Sequence, residues 1–270
     1  MSWSLEMQLN SFAIRSFRET ADKDYIAARM AYRARLIQQF HWSGLHCLEK
    51  YAKGICLLNR VKAHRGHSVL AGLDQMRKHG KFSIELSPWT LAFIKRLEDG
   101  GAEFRYYETS YDNEEFDIVR LDCAVWELRR YCQTLDYNID LDDGVKKNML
   151  NFELNRVTTA VTNKEKGSCI VDGTLEKIID DRTNPARKSL IWNNLYFGPS
   201  QRKKIKLRPD WEAGNSPLFL HPEIIDEVLK YVFIPKNIAD GAREFARQKS
   251  AEKETKARVG KKAARSARNV

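Results

Sequence analysis

Apolar side chains recur at spacings of three and four along the first half of the chain, a pattern typical of amphipathic helices. The clearest case covers residues 36–60, where Phe40, Leu48 and Ile55 fall on one face and Gly44 stands inside the helix. Because glycine weakens a helix interior, we expect close contact with a neighbouring helix at Gly44. Further helices are predicted over residues 24–35, 69–79, 88–100 and 115–136. The chain is therefore expected to be mostly α, with an antiparallel helical bundle in its first half.

The helical pattern loosens beyond residue 136. Residues 137–144 are acidic and turn-like, and residues 11–22, before the first predicted helix, form a polar lead-in. In the second half, helices are predicted over 175–179, 185–195 and 222–232, and extended chain over 169–171 and 205–207. We expect three parts: a helical bundle over 1–140, a smaller, mainly helical accessory region with short extended segments over 141–235, and a basic tail, helical or disordered, over 236–270.

The positive charge of the chain is concentrated near its C-terminus. The net charge is +10, and residues 236–270 hold eleven Lys or Arg against four Asp or Glu. The tail therefore carries most of the basic excess and few large apolar groups. Such a segment attracts nucleic acid without reading its sequence, through release of counterions from the phosphates.

The cysteines and histidines do not predict a metal or a cofactor. The five cysteines are an odd number at wide spacing, which indicates free thiols in a reducing compartment. No pair of cysteines has the spacing of a zinc knuckle, and the six histidines do not complete one. No apolar run approaches the roughly 20 residues of a membrane span, and the first residues lack a signal-peptide pattern. We expect a cytoplasmic protein without a membrane partner.

Four short segments between Ala21 and about Asp136 resemble the HEPN family in their order and spacing. They are Ala21-Asp22-Lys23-Asp24-Tyr25, the Glu49-Lys50 pair with Lys53, Gly66-His67-Ser68-Val69-Leu70, and Gly101 with Arg105-Tyr106. HEPN domains are small helical bundles associated with nucleotide and RNA handling. The resemblance implies an antiparallel bundle that forms a homodimer and has RNA or a nucleotide as its partner.

The resemblance also implies a chemistry. Many HEPN proteins are metal-independent endoribonucleases, among them bacterial toxins of toxin–antitoxin pairs and phage-defence proteins, and they use an Arg and a His a few residues apart. Here Arg60 and His67 have six residues between them, and His64 is an alternative histidine. In such a site the imidazole takes a proton from the RNA 2′-hydroxyl, while the guanidinium stabilises charge on the phosphate. The catalytic residues are therefore predicted to be Arg60, His67 and His64.

Basic residues next to aromatic ones suit phosphate contacts combined with base stacking. The predicted nucleic-acid-binding residues are Lys62, Arg65, Arg105, Tyr106, Arg202, Lys203 and Lys204. The last three follow a basic-aromatic stretch that contains Trp192.

A second interpretation stays open at this point. The cations at 60–65 also fit the end of a helix, where the carbonyl dipole favours positive charge. The bundle would then be a non-catalytic dimerisation or interaction module for another protein, such as a nucleotidyltransferase, with the tail supplying weak affinity for nucleic acid.

Overall fold

The computed structural model describes residues 3–100, 107–141, 144–162, 171–200, 202–207 and 211–266. Most of these residues are helical, which confirms the predicted mostly α class. The helices are α1 Leu5–Ala13, α2 Glu19–Arg33, α3 Ile37–Leu58, α4 Val69–His79, α5 Pro88–Gly100, α6 Asp117–Arg129, α7 Leu150–Thr162, α8 Thr174–Asp180, α9 Arg187–Ile191, α10 Pro217–Leu220, α11 Ile225–Val228 and α12 Lys236–Ser266. A π-helical turn, Ile14–Arg18, joins α1 to α2, and a 3-10 turn, Pro222–Ile224, precedes α11.

Four three-residue strands accompany the helices. They are β1 Tyr111–Asn113, β2 Asn138–Asp140, β3 Lys146–Asn148 and β4 Glu212–Gly214. Strands β2 and β3 form an antiparallel hairpin in which Asn138 is opposite Asn148, and β1 pairs with β4. The hairpin occupies the region that was expected to be an acidic turn.

The described residues belong to two compact units. One comprises Met1–Ala102 and Asn113–Trp211, and the other comprises Glu103–Asp112 and Glu212–Val270. This division does not coincide with the boundaries expected at 140 and 235. The reason is that side chains beyond residue 140, among them Leu175, Leu190 and Phe197, are buried in the same core as the bundle helices.

Helix α3 runs through the core of the first unit. Its apolar stripe, which includes Phe40, Leu48 and Ile55, is buried as its periodicity predicts. Three residues separate α2 from α3 and the two helices pack together, so they must run antiparallel. A side chain at Gly44 would place its Cβ 3.3 Å from Leu121 of α6, which confirms the expected close approach.

Helices α2 and α3 end in the same way. In each, an arginine adopts the left-handed conformation just past the helix, Arg35 with φ 64° and Arg60 with φ 58°. The next residue then donates a hydrogen bond back into the last turn, Leu36 to Ala31 at 2.9 Å and Val61 to Cys56 at 2.8 Å. This is the Schellman motif, in which glycine is the usual left-handed residue.

Two sequence expectations about helices are corrected by the structure. Residues 11–22 are helical throughout rather than a polar lead-in, because Ala13, Arg18 and Ala21 are buried on the bundle side. Residues 236–266 form a single helix, so the helical alternative for the tail is the one the structure contains. Residues 169 and 170 of one predicted extended segment lie outside the described residues.

The second unit has a small apolar core of its own, formed by Leu218, Ile225, Ile234 and Ala239. It joins the short helices α10 and α11 to the first turn of α12. Across the described ranges, no helix has both the length and the apolar character that crossing a membrane requires.

Candidate nucleic-acid interface

Arg60 contacts the end of its own helix and helix α1. Its guanidinium donates hydrogen bonds to the Leu57 carbonyl at 2.8 Å and to Asn10 Oδ1 at 2.9 Å. The first bond satisfies a carbonyl at the α3 C-terminus that has no partner within the helix, and the second attaches the arginine to α1. The geometry is that of a helix cap, the second of the two interpretations that the sequence left open for this arginine.

His67 contacts a different part of α3. Its Nδ1 lies 3.0 Å from Glu49 Oε2, and its ring stacks at 6.1 Å on His46. Glu49 and Leu57 are eight residues apart, or about 12 Å along the helix axis. The structure therefore does not bring the guanidinium of Arg60 and the imidazole of His67 to one place. His64 is exposed and lies beside Gly66.

The other predicted binding residues fall into three groups. Lys62 and Arg65 are exposed in the connection between α3 and α4. Arg105 and Tyr106 lie outside the described residues. Arg202, Lys203 and Lys204 are exposed on the segment 202–207, which is bonded to Asn193, two residues after α9.

A buried ion pair holds α9 against α2 and so positions Trp192. Arg29, which is fully buried, pairs with Asp122 of α6. Its Nε donates to the Ser189 carbonyl at 3.0 Å, and its second terminal nitrogen donates to the Trp192 carbonyl. Since a buried charge without partners is costly, this set of contacts fixes the backbone of Trp192 relative to α2.

A cleft of about 880 Å³ opens beside Trp192. Its described lining residues are Tyr32, Arg33, Arg35, Trp192, Asn193, Lys206 and Leu207. Three of these carry a positive charge, and none of those described carries an acidic group. The cleft is thus basic and aromatic, and its walls come from the end of α2, the residues after α9 and the segment 202–207.

Several contacts hold the walls of this cleft in place. The Arg33 guanidinium lies 5.6 Å from the centre of the Trp192 ring and donates to Ser189 Oγ at 2.7 Å. Asn193 Nδ2 donates to the Lys206 carbonyl at 2.7 Å, which ties the segment 202–207 to the residues after α9. The same asparagine accepts a longer bond, 3.4 Å, from Arg202. Arg202, Lys203 and Lys204 therefore extend from the edge of the cleft.

Sequence reasoning identified one wall of the cleft and missed the other. The region from Trp192 to Lys206 was predicted to bind nucleic acid because basic and aromatic residues are interleaved there. Arg33 and Arg35 gave no comparable signal, because they lie at the end of a helix much earlier in the chain. Arg33 and its hydrogen-bond partner Ser189 are 156 residues apart in the sequence. Only the packing of α9 on α2 brings the two walls together.

The sequence predicted only part of a second group of ionisable side chains, which lies on α3 and the connection after it. The Glu49–Lys53 pair predicted on one helix face is present, with Lys53 Nζ 2.6 Å from Glu49 Oε1. His46 and His67 lie on the other side of the same carboxylate, and the three residues could hold a metal ion. The i, i+3 spacing of His46 and Glu49 is the signal in the sequence that could have indicated this group.

Comparison of the chain with protein-family models, with curated proteins and with solved structures finds no match. The class that the structure itself defines is a mostly helical protein with a helical bundle and a basic-aromatic cleft. Membership of the HEPN family stays a prediction from the sequence.

Proposed function

We propose that this chain is a HEPN-like protein that binds single-stranded RNA through the cleft beside Trp192. The observation that carries the proposal is the convergence of Arg33, Arg35, Lys206 and an indole on one concave surface, from two stretches of the chain that are far apart in the sequence. Guanidinium and ammonium groups bind phosphates, and an indole face stacks on a base.

A single strand suits this cleft better than a duplex. Duplex RNA buries its base faces in the stack, whereas an unpaired nucleotide offers a face to an aromatic side chain. The cleft volume of about 880 Å³ lies within the range of small-ligand sites, so it can take one or two nucleotides. The exposed cations from Arg202 to Lys204 supply contacts for phosphates beyond the cleft.

The geometry supports binding more strongly than cleavage. Arg60 and His67 contact different turns of α3, so the pair expected to act on one phosphate is not assembled within this chain. Metal-independent cleavage stays a prediction, and its support is the His67–Glu49 contact, which leaves Nε2 of the imidazole as the nitrogen that would accept a proton. Cleavage in the presence of a chelator, lost in His67→Ala, would establish it.

Fluorescence anisotropy of a labelled single-stranded oligoribonucleotide tests the binding proposal. We expect Trp192→Ala to weaken binding by about 1–3 kcal/mol, the range found for loss of one stacked base. Trp89→Ala is a matched control, because Trp89 is also partly exposed and also has an arginine, Arg120, 6.0 Å from its ring centre. Equal affinities for wild type, Trp192→Ala and Trp89→Ala would overturn the proposal.

A further inference from the structure

His46, Glu49 and His67 form a compact group on the surface of the first unit. The potential ligand atoms of the three residues all lie within 4.8 Å of one another. His46 and Glu49 lie three residues apart on α3, so both side chains leave the helix on the same face. His67 reaches them from the connection between α3 and α4.

Neighbouring contacts hold each of these side chains in place. The His46 ring lies 3.8 Å from the Trp42 ring, centre to centre. Lys53 donates to Glu49 Oε1 at 2.6 Å, so the other carboxylate oxygen, Oε2, is the one directed at His67. His67 directly precedes Ser68, whose hydroxyl accepts the Ala71 amide at 3.0 Å and so caps α4.

We infer that His46, Glu49 and His67 form a site for a divalent transition-metal ion such as Zn²⁺. Two imidazoles and one carboxylate are a ligand set that zinc uses in sites with an open fourth position. The His67 side chain is 66% exposed, so the fourth position faces solvent and is filled by water. This inference departs from the sequence expectation of no metal and does not depend on RNA binding.

The distances require a modest closure when the ion binds. Ligand atoms around a tetrahedral Zn²⁺, each at about 2.0–2.1 Å, are about 3.3 Å apart. His67 Nδ1 and Glu49 Oε2 are already 3.0 Å apart. The longer separation therefore involves His46, and no two of the three ligand atoms are more than 4.8 Å apart.

Titration of chelator-treated, dialysed protein with Co²⁺ tests the site through the visible absorption bands of the bound ion. Wild type is expected to bind one equivalent of Co²⁺, and Zn²⁺ is expected to displace it because zinc binds such ligands more tightly. His67→Ala and Glu49→Gln are each expected to weaken Co²⁺ binding by more than about tenfold, as loss of a ligand does.

His64→Ala is the matched control, since it removes an exposed imidazole from the same connection and leaves the three ligands in place. It is expected to bind Co²⁺ as wild type does. His67 is exposed, so His67→Ala is expected to keep the core intact, and circular dichroism of the variant is the check on its helical content. Absence of Co²⁺ uptake by wild type, or equal uptake by wild type and His67→Ala, would overturn the inference. Trp192→Ala should bind Co²⁺ normally, so failure of the RNA proposal would leave this result unaffected.

Discussion

At the scale of single residues, the buried Arg129 is bonded to two carboxylates at once. Its guanidinium bonds both oxygens of Asp22, at 2.8 and 2.9 Å, and both oxygens of Glu176, at 2.6 and 2.7 Å. Tyr51 adds a hydrogen bond to Asp22 at 2.5 Å. Burial would lower the pKa of Arg129, but its acidic partners raise it well above its ordinary value. This residue therefore stays charged and joins α2, α6 and α8.

We expect Arg129→Met to lower the free energy of unfolding by about 3–5 kcal/mol, because it leaves Asp22 buried without its cation. Urea denaturation followed by circular dichroism measures the change. The control is Arg77→Met, in which a side chain that is 70% exposed loses its pairing with Asp74. That change should cost less than about 1 kcal/mol. If both variants lost a similar free energy of unfolding, the buried contacts of Arg129 would contribute no more to stability than an exposed ion pair does.

The two left-handed arginines allow a closely matched test of phosphate binding. Arg35 lines the cleft, whereas Arg60 caps α3, yet both occupy the same position of a Schellman motif. Glycine adopts the left-handed conformation without strain, so replacing either arginine by glycine should not destabilise the turn. We expect Arg35→Gly to weaken RNA binding and to reduce the slope of log affinity against log salt by about 0.7, as for one lost phosphate contact.

Arg60→Gly should leave both the affinity and the salt slope at their wild-type values. Anisotropy titrations at several salt concentrations compare the two variants directly. If Arg60→Gly weakened binding as much as Arg35→Gly, the predicted role of Arg60 at a phosphate would gain support, and the assignment of binding to the cleft would lose it.

At the scale of helices, the close packing of α3 depends on its glycines. A Cβ at Gly54 would lie 3.0 Å from Sγ of the buried Cys132 and 3.1 Å from Cβ of the partly buried Phe17. Gly54→Ala should therefore destabilise the protein by about 1–3 kcal/mol, the usual cost of overpacking, despite the better helix propensity of alanine. Gly241→Ala in α12 is the control, since nothing lies within 4 Å of its added Cβ. A melting temperature of Gly54→Ala equal to or above that of wild type would contradict this packing.

Helix α8 is attached to the bundle in a way that depends on pH. Burial raises the pKa of Glu176, but hydrogen bonds and attraction from Arg129 outweigh it, so the folded-state pKa lies below the ordinary value. A lowered folded-state pKa means that the stabilisation is complete above the unfolded pKa of about 4.3 and is lost as pH falls through the folded value. Glu176→Gln should therefore cost about 2 kcal/mol at pH 7, with the difference from wild type shrinking below about pH 4. A difference that is constant from pH 7 to pH 3 would contradict this account.

The sequence predicted the helices better than the contacts between them. The bounds of α3, the Ser68 cap of α4 and the proline at the start of α5 follow from local patterns, and the structure contains all three. Asp22 and Tyr25, part of the HEPN resemblance, form buried bonds to Arg129 and Asp122. Those partners lie about a hundred residues away, beyond what a local pattern can indicate.

At the scale of the whole molecule, two basic regions could attract RNA. The tail helix α12 carries charge without aromatic support over most of its length, so its attraction is independent of sequence and of base stacking. The cleft combines fewer cations with Trp192. Deletion of residues 246–270 should therefore reduce the salt dependence of binding while keeping the effect of Trp192→Ala. The predicted homodimer stays a prediction.

The location of bound RNA tests the central claim most directly. Ultraviolet crosslinking of a uridine-containing single strand, followed by mass spectrometry of the digested protein, identifies the residues in contact. We expect crosslinks in peptides that contain residues 32–35 and 192–207, the walls of the cleft. Crosslinks confined to residues 236–266, with none in the cleft peptides, would contradict the account.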